Sequence, residues 1–305
     1  MNFPRSSQKS SSQKSLSHKA SSWTIIRVLA WTSDYFRKHG IESPRLTAEI
    51  LLANALGLER IDLYIRHDQP LKSSELAVFR RMIKRRACHE PVDYIIESKE
   101  FFGRNFFVCP HVLIPRPETE ILVETAVDLL ASYPDHGRVL DIGTGSGVIA
   151  VTLAKEMPAF SYLASDISVK ALSVAGKNAV LHDVEDKISF FAGDLLMALS
   201  PGFRACLIVS NPPYIPSEQI PLLAPEIAAH EPIIALDGSY DGLSVIRRII
   251  ESAPDFLCEG GHLLLEIGHD QKQAVERLAG DTGRYARISF VRDLAGIDRV
   301  AVLQK

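Results

Sequence analysis

The run Val139-Leu140-Asp141-Ile142-Gly143-Thr144-Gly145-Ser146-Gly147-Val148-Ile149-Ala150 constrains this chain more than any other stretch. An apolar strand feeds a turn holding three glycines and then an apolar helix start, so a ligand can lie against bare backbone at a helix N-terminus. The pattern then alternates. Strands are expected at Arg138 to Ile142, Ser161 to Ser165, Lys187 to Phe191, Ala205 to Ser210 and His262 to Ile267, with helices reaching Met157 and His182 and a third from about Asp241 to Leu257. Such alternation gives an open parallel sheet covered by helices on both faces. Ala286 to Val291 and Arg299 to Leu303 are joined by too few residues for a crossover helix, so they are expected to pair as an antiparallel hairpin.

The rest of the composition removes whole classes. With 305 residues, 34 Lys+Arg against 37 Asp+Glu, a net charge of −3 and 46% hydrophobic positions, the chain reads as globular, with room for two domains. Apolar stretches such as Ile142 to Leu153 are interrupted by Gly, Thr or Ser and fall short of the ~20 residues of a membrane span. Cys88, Cys109, Cys206 and Cys258 stand singly, without zinc-site pairing or disulfide density, which points to a reducing, cytoplasmic setting and to no metal.

Four segments follow from changes in character. Residues 1–22 hold nine Ser and four basic residues but no acid, which predicts a disordered tail, a tag remnant or, less well matched, a targeting segment. Residues 23–90 read as a helical bundle. Ile25, Val28, Leu29, Thr32 and Phe36 recur at three and four before Gly40, and Ser43 as N-cap with Pro44 opens a helix that Gly57 closes. A short helix is expected from Arg60 to Arg66, and a longer one from Ser73 or Ser74 that leaves Arg80, Arg81, Lys84, Arg85 and Arg86 outside. Residues 91–115 are expected to form a β-hairpin linker, from Tyr94-Ile95-Ile96 and the aromatic runs flanking Gly103. Residues 116–305 form the sheet domain, entered by a helix from about Glu118 to Ser132.

The Gly loop departs from the dinucleotide fingerprint, since its third Gly comes one residue early and Val148 stands where that Gly would sit. Asp141, just before the loop, would repel a pyrophosphate and suits a cationic ligand. Asp166 lies nineteen residues past Gly147, where a carboxylate can accept both ribose hydroxyls of an adenosine. Asp194 is placed to reach the adenine amino group, with Leu195 as an apolar contact. Asp141, Gly143, Thr144, Gly145, Ser146, Gly147, Asp166, Asp194 and Leu195 therefore trace S-adenosylmethionine along one sheet edge. The bland reading of the acids is that they cap the helices that follow. With the antiparallel terminal hairpin, the pattern favours a methyltransferase over a dehydrogenase. The expected fold class is α/β: a Rossmann-like class I S-adenosylmethionine-dependent methyltransferase sheet, preceded by a small helical bundle and a β-hairpin linker.

After the apolar strand at Cys206 to Ser210 comes Asn211-Pro212-Pro213-Tyr214, a rigid turn at the same edge. Asn211 offers a side-chain carbonyl and Pro212 a backbone carbonyl, so both hydrogens of a planar NH₂ group can be held with its nitrogen aimed at a methyl carbon. Tyr214 adds a ring face for stacking and for the sulfonium cation. In-line positioning is the main catalytic demand, and no Ser, Cys or His nucleophile is needed. Asn211, Pro212 and Tyr214 are the catalytic candidates, Asn211 also contacts the cofactor, and Pro213 joins the acceptor site.

These residues resemble the protein-(glutamine-N5) methyltransferases that modify the Gly-Gly-Gln motif of peptide chain release factors. The resemblance covers about residues 23–305. It is carried by Pro91-Val92-Asp93-Tyr94-Ile95, Glu100-Phe101-Phe102-Gly103, the segment Ile114-Pro115-Arg116-Pro117-Glu118-Thr119-Glu120, the Gly loop, Asn211 to Tyr214, Glu231-Pro232 and Asp298-Arg299. It implies that Gly143 to Gly147, Asp166 and Asn211 hold S-adenosylmethionine, that Asn211 to Tyr214 hold the glutamine, that Arg116 joins the acceptor site, and that the partner is a class 1 release factor.

Two other readings compete. An adenine-N6 methyltransferase would use the same turn on another planar NH₂, but residues 138–305 carry 15 basic against 21 acidic residues, a poor surface for phosphates. Neither a nucleic-acid substrate nor a membrane partner is expected. A non-catalytic adenosine-binding or dehydrogenase-like module would leave Asn211 without a purpose.

Overall fold

The computed structural model describes residues 23–134 and 136–305, so the Ser-rich tail expected over 1–22 lies outside the described residues. The chain divides into two compact units, one ending at Ile96 and one running from Glu97 to Lys305.

The first unit is helical: α1 (Ile25–Lys38), α2 (Pro44–Leu56), α3 (Arg60–Ile65), α4 (Ser73–Ala87) and α5 (Val92–Ile96). The stripe read in α1 is buried, with Ile25, Val28 and Phe36 fully enclosed beside Leu51, Leu52, Leu63 and Phe79. Ser43 precedes α2 as expected, but it sits in the left-handed region and its side chain caps nothing; its carbonyl accepts from Thr47 instead. Gly57, left-handed, closes that helix. Two charged residues are inside. Glu49 is 2% exposed and accepts from Arg45, Arg60 and Tyr64, which offsets its burial. Arg86, expected outside, is 4% exposed and donates to the Glu90 carbonyl, while Arg85 pairs with the Glu90 carboxylate.

Residues 92–96, expected to be extended, are the short helix α5. Tyr94 and Ile95 are buried there and Ile95 joins the core of the first unit, so tertiary burial overrides a β-branched pair. The first unit therefore ends six residues later than expected. The hairpin is confined to β1 (Lys99–Phe101) and β2 (Arg104–Phe106), paired Phe101 to Arg104 across Phe102 and Gly103. Both turn residues have positive φ, the geometry that suits strand twist.

The second unit continues with α6 (Thr119–Leu130), β3 (Arg138–Ile142), α7 (Val148–Glu156), β4 (Ser161–Asp166), α8 (Val169–Leu181), β5 (Ile188–Ala192) and β6 (Ala205–Ser210). It ends with α9 (Pro225–His230), α10 (Ser244–Ser252), β7 (Leu257–Glu266), α11 (Lys272–Thr282), β8 (Arg287–Arg292) and β9 (Asp298–Gln304). The strands form one sheet in the order β5-β4-β3-β6-β7-β9-β8. The pairs from β5 to β7 are parallel and β8 and β9 form an antiparallel hairpin, as the pattern implied, and β9 also runs antiparallel to β7. Successive residues face opposite cores: Val139, Leu207, Val209 and Leu264 pack towards α6 and α7, while Leu140, Ile208, Leu263 and Leu265 pack towards α10 and α11. α10 stops earlier than expected because Pro254 has no N–H for the helical ladder, and β7 starts earlier to match.

The order reverses at β3, whose neighbours are β4 on one side and β6 on the other. That is a topological switch point, where a crevice opens beyond the carboxyl ends of the strands. Between β6 and α10 a long excursion leaves the sheet and returns. Its ends meet where Ile215 donates to the Leu236 carbonyl and accepts from Gly238. Gln271, 7% exposed, ties the base: its Nε2 donates to the carbonyls of Tyr214 (3.0 Å) and Gly242 (3.1 Å), and its Oε1 accepts from Gly268.

Candidate active site

At the switch point lies a cavity of about 480 Å³, lined by residues from the Gly loop, the ends of β4 and β5, Asn211, Thr119 and the excursion. The Gly loop is held mainly by backbone. Gly143 and Thr144 both donate to the Ser165 carbonyl, and Gly147 donates to that of Thr144. Gly143, Gly145 and Gly147 all have φ between +56° and +83°, which an L side chain adopts only under strain. A Cβ on Gly147 would stand 3.0 Å from that of Ala175, so this glycine lets the loop pack on α8. Gly143 and Gly145 have nothing closer than 3.9 Å at that position, which leaves open room above the backbone. Gly147 itself does not line the cavity.

The acids separate into different kinds. Asp141, expected to face a cationic ligand, is 1% exposed and absent from the cavity wall. Its Oδ2 accepts from the Thr144 hydroxyl at 2.6 Å and from the Ala150 N–H at 3.3 Å, so it braces the loop from beneath. Its Oδ1 has no hydrogen-bond partner among the described residues, and burial pushes its pKa up to about 7. Asp166 does line the cavity, accepting from Gly145 on one oxygen and from Ser168 on the other. It is not a helix cap, because Ser168 caps α8 by accepting from Ala171. Burial raises the Asp166 pKa although these N–H groups oppose it. Asp194 and Leu195 line the far end, Leu195 with φ of +53°, and Asp194 is paired with Arg248 at 2.7 Å.

On the other side, Asn211 and Pro213 reach the wall, whereas Pro212 and Tyr214 do not. Tyr214, expected as an open ring face, packs against the core on the α10 side. Burial, helped by the nearby Glu266 charge, pushes its hydroxyl up to about 12. Asn211 donates from Nδ2 to the Thr119 hydroxyl oxygen at 3.1 Å, and Thr119 donates to Glu266 Oε2 at 2.7 Å. Glu266 is 1% exposed, and burial pushes it up to about 7. Arg116 lines the cavity and pairs at 2.6 Å with Glu231, whose side chain is 1% exposed.

Sequence reasoning missed Arg248, Thr119 and Glu266 as site residues. Arg248 carried no local signal. Thr119 is marked in the sequence only by its place in a motif at a helix start. Glu266 carried a signal, an acid inside the apolar run Leu263-Leu264-Leu265-Glu266-Ile267. Among the described residues no group of three His, Cys, Asp or Glu is arranged to hold a metal ion, and no helix is long and apolar enough to cross a membrane.

Comparison with known proteins agrees with this layout. A family described as the PrmC N-terminal domain matches residues 27–96, and one described as the methyltransferase small domain matches residues 117–229. A release factor glutamine methyltransferase of Geobacter sulfurreducens is 43% identical over 285 residues, 93% of this chain and 98% of that protein. One of Rhodopirellula baltica is 39% identical, over 93% of this chain and 97% of its own. Among solved structures, the catalytic domain of human METTL16 in complex with MAT2A 3'UTR hairpin 6 superposes with a TM-score of 0.54 at 16% identity. That match covers 76% of this chain and 82% of that one, a likeness of fold. The two domain matches in sequence and the near full-length identity place this chain in the family of release factor glutamine methyltransferases.

Proposed function

We propose that this enzyme transfers a methyl group from S-adenosylmethionine to the side-chain amide nitrogen of the glutamine in the Gly-Gly-Gln motif of class 1 peptide chain release factors, in support of translation termination. The observation that carries the reading is that one cavity joins an open Gly loop and a strand-end carboxylate to an asparagine whose amide is held from behind.

The residues present fit the cofactor. Room above Gly143 and Gly145 takes an extended ligand against backbone, Asp166 keeps acceptor capacity beyond its two N–H partners for ribose hydroxyls, and Leu195 gives an apolar contact. Asp194 would accept from the adenine amino group through the oxygen that Arg248 leaves free. Bound there, S-adenosylmethionine supplies an electrophilic methyl group on a good leaving group.

The chain's own part is positioning. Asn211 accepts an amide hydrogen of the glutamine on its carbonyl oxygen, which orients a weak nucleophile and polarises its N–H bond as the new bond forms, while Pro212, off the cavity wall, serves to stiffen the turn. The helical unit is the docking module for the folded substrate, since a glutamine at a loop tip offers little surface and a second contact raises its effective concentration.

Radiolabelled S-adenosylmethionine with a release factor, its Gln-to-Ala variant at Gly-Gly-Gln, and duplex or single-stranded nucleic acid should label the first acceptor only. Label on adenine would replace the acceptor and keep the methyl transfer. A chain beginning at Glu97 should lose labelling of the intact factor far more than of a short Gly-Gly-Gln peptide; equal losses would remove the docking role.

A further inference from the structure

Asn211 has two faces, one carbonyl and one NH₂, of nearly equal shape, and only the carbonyl can accept from an acceptor amide. Its direction is therefore a functional variable. Behind it stands Thr119, whose hydroxyl has a single hydrogen, and behind Thr119 stands Glu266. An ionised carboxylate can only accept, so it takes the Thr119 hydrogen. Thr119 is left with lone pairs alone on the side of Asn211, so Asn211 must turn its NH₂ inward and its carbonyl towards the cavity. A protonated Glu266 can donate to Thr119 instead, which releases the hydroxyl hydrogen towards the Asn211 oxygen and permits the opposite orientation.

We propose that Glu266 and Thr119 are positioning residues that set which face of the Asn211 amide meets the acceptor, with the ionised form of Glu266 selecting the productive one. The proposal rests on the glutamine reading above, because it concerns how a planar amide is received. Neither residue is given a bond to the reacting atoms: Glu266 is off the cavity wall, and Thr119, which does line the cavity, has its hydroxyl engaged by Glu266 and Asn211.

The surroundings make the charge on Glu266 adjustable. It ends β7 between β6 and β9, and the charged or titratable groups facing it are Glu118 and Arg116 ahead of α6, Tyr214 after β6, and Arg299 on β9. Burial and Glu118 oppose ionisation, while the Thr119 hydroxyl and the two arginines favour it. The balance places the transition near neutral pH. Activity should accordingly rise with pH through that region, since the productive orientation requires the unprotonated acid.

The test uses the full chain with a release factor, single-turnover rates from pH 5.5 to 8.5, and cofactor affinity in parallel. Thr119→Val removes the hydroxyl at constant shape and should slow methyl transfer at least tenfold with cofactor affinity unchanged; Thr119→Ser should restore most of the rate. Glu266→Gln can still accept from Thr119 but cannot ionise, so its rate should lose the rise between pH 6 and 8 that the wild type shows. A merely structural role would lower rates without changing the shape of that profile. A Thr119→Val rate within twofold of wild type, or a Glu266→Gln profile with the wild-type rise, overturns the proposal. If Thr119→Val does not fold, the Glu266→Gln profile decides alone. A wild-type enzyme that leaves the Gly-Gly-Gln glutamine unlabelled refutes the acceptor reading and this relay with it, an outcome distinct from labelling with matching profiles.

Discussion

The two rims of the cavity hold their working groups by different means. Around the Gly loop nearly every bond is local or made by backbone: Gly143 and Thr144 on the Ser165 carbonyl, Gly145 on the Asp166 carboxylate, Thr144 on Asp141. Around Asn211 the bonds run side chain to side chain between segments far apart in the chain, Asn211 to Thr119 across 92 positions and Thr119 to Glu266 across 147. A loop wired through backbone tolerates changes of side chain except where a glycine or a brace is needed. A turn wired through side chains depends on each member.

Breaking the second rim should therefore cost most. Asn211→Ala is expected to lower single-turnover methyl transfer at least about a hundredfold, within the ~2 to 4 kcal/mol that an oriented polar group supplies in a transition state, while cofactor affinity changes little. A rate near wild type in a folded variant would dissolve the contrast between the rims.

On the first rim, Asp166→Ala removes the partner of the Gly145 N–H and, with it, the carboxylate proposed to accept from the ribose hydroxyls. Calorimetry should show S-adenosylmethionine binding at least about tenfold more weakly, consistent with ~1.5 to 3 kcal/mol for hydrogen bonds to a charged group. Unchanged affinity would remove this acid from the site.

The smallest effect sharpens the comparison from beneath. Asp141 is a carboxyl whose folded pKa, about 7, lies above its ordinary value of 3.8. The folded state thus holds its proton more tightly than the unfolded chain does. Stability from this group is fully present below the unfolded pKa and is lost as pH rises through the folded one. The melting temperature of Asp141→Asn, relative to wild type, should accordingly shift in the variant's favour between pH 5 and pH 8. A constant difference across that range would mean that Asp141 carries no such burden.

The same contrast explains what could be read from the sequence. The Gly loop, the strands around it, the strand-end place of Asp166 and the place of Asn211 were legible because each depends on spacing within a short run: glycines where φ must be positive, an acid at a strand end, prolines after a strand. Asp141 was legible in place and misread in role, since adjacency to the loop does not tell whether a carboxylate points up into the cavity or down beneath it. Arg248, Thr119 and Glu266 were not legible as site residues, because their partners lie on other elements and only the sheet order brings them together. The end of the helical unit was misplaced for the same reason. Tyr94-Ile95-Ile96 has local strand character, and burial of Ile95 in the helical core decided otherwise.

The excursion between β6 and α10 is clasped at its base by one buried amide, beside the backbone bonds that join its own ends. Because Gln271 grips both of its ends, and Gly242 must lack a Cβ to lie against the Tyr214 carbonyl, the spacing of those ends is set by the sheet and α11 and not by what lies between them. Residues 217–235 are thus a cassette. The clasp holds their entry and exit and the Arg116–Glu231 pair ties one further point, so a lineage, or a designer, that keeps both can vary the residues around them, those on the cavity wall included, without reopening the fold.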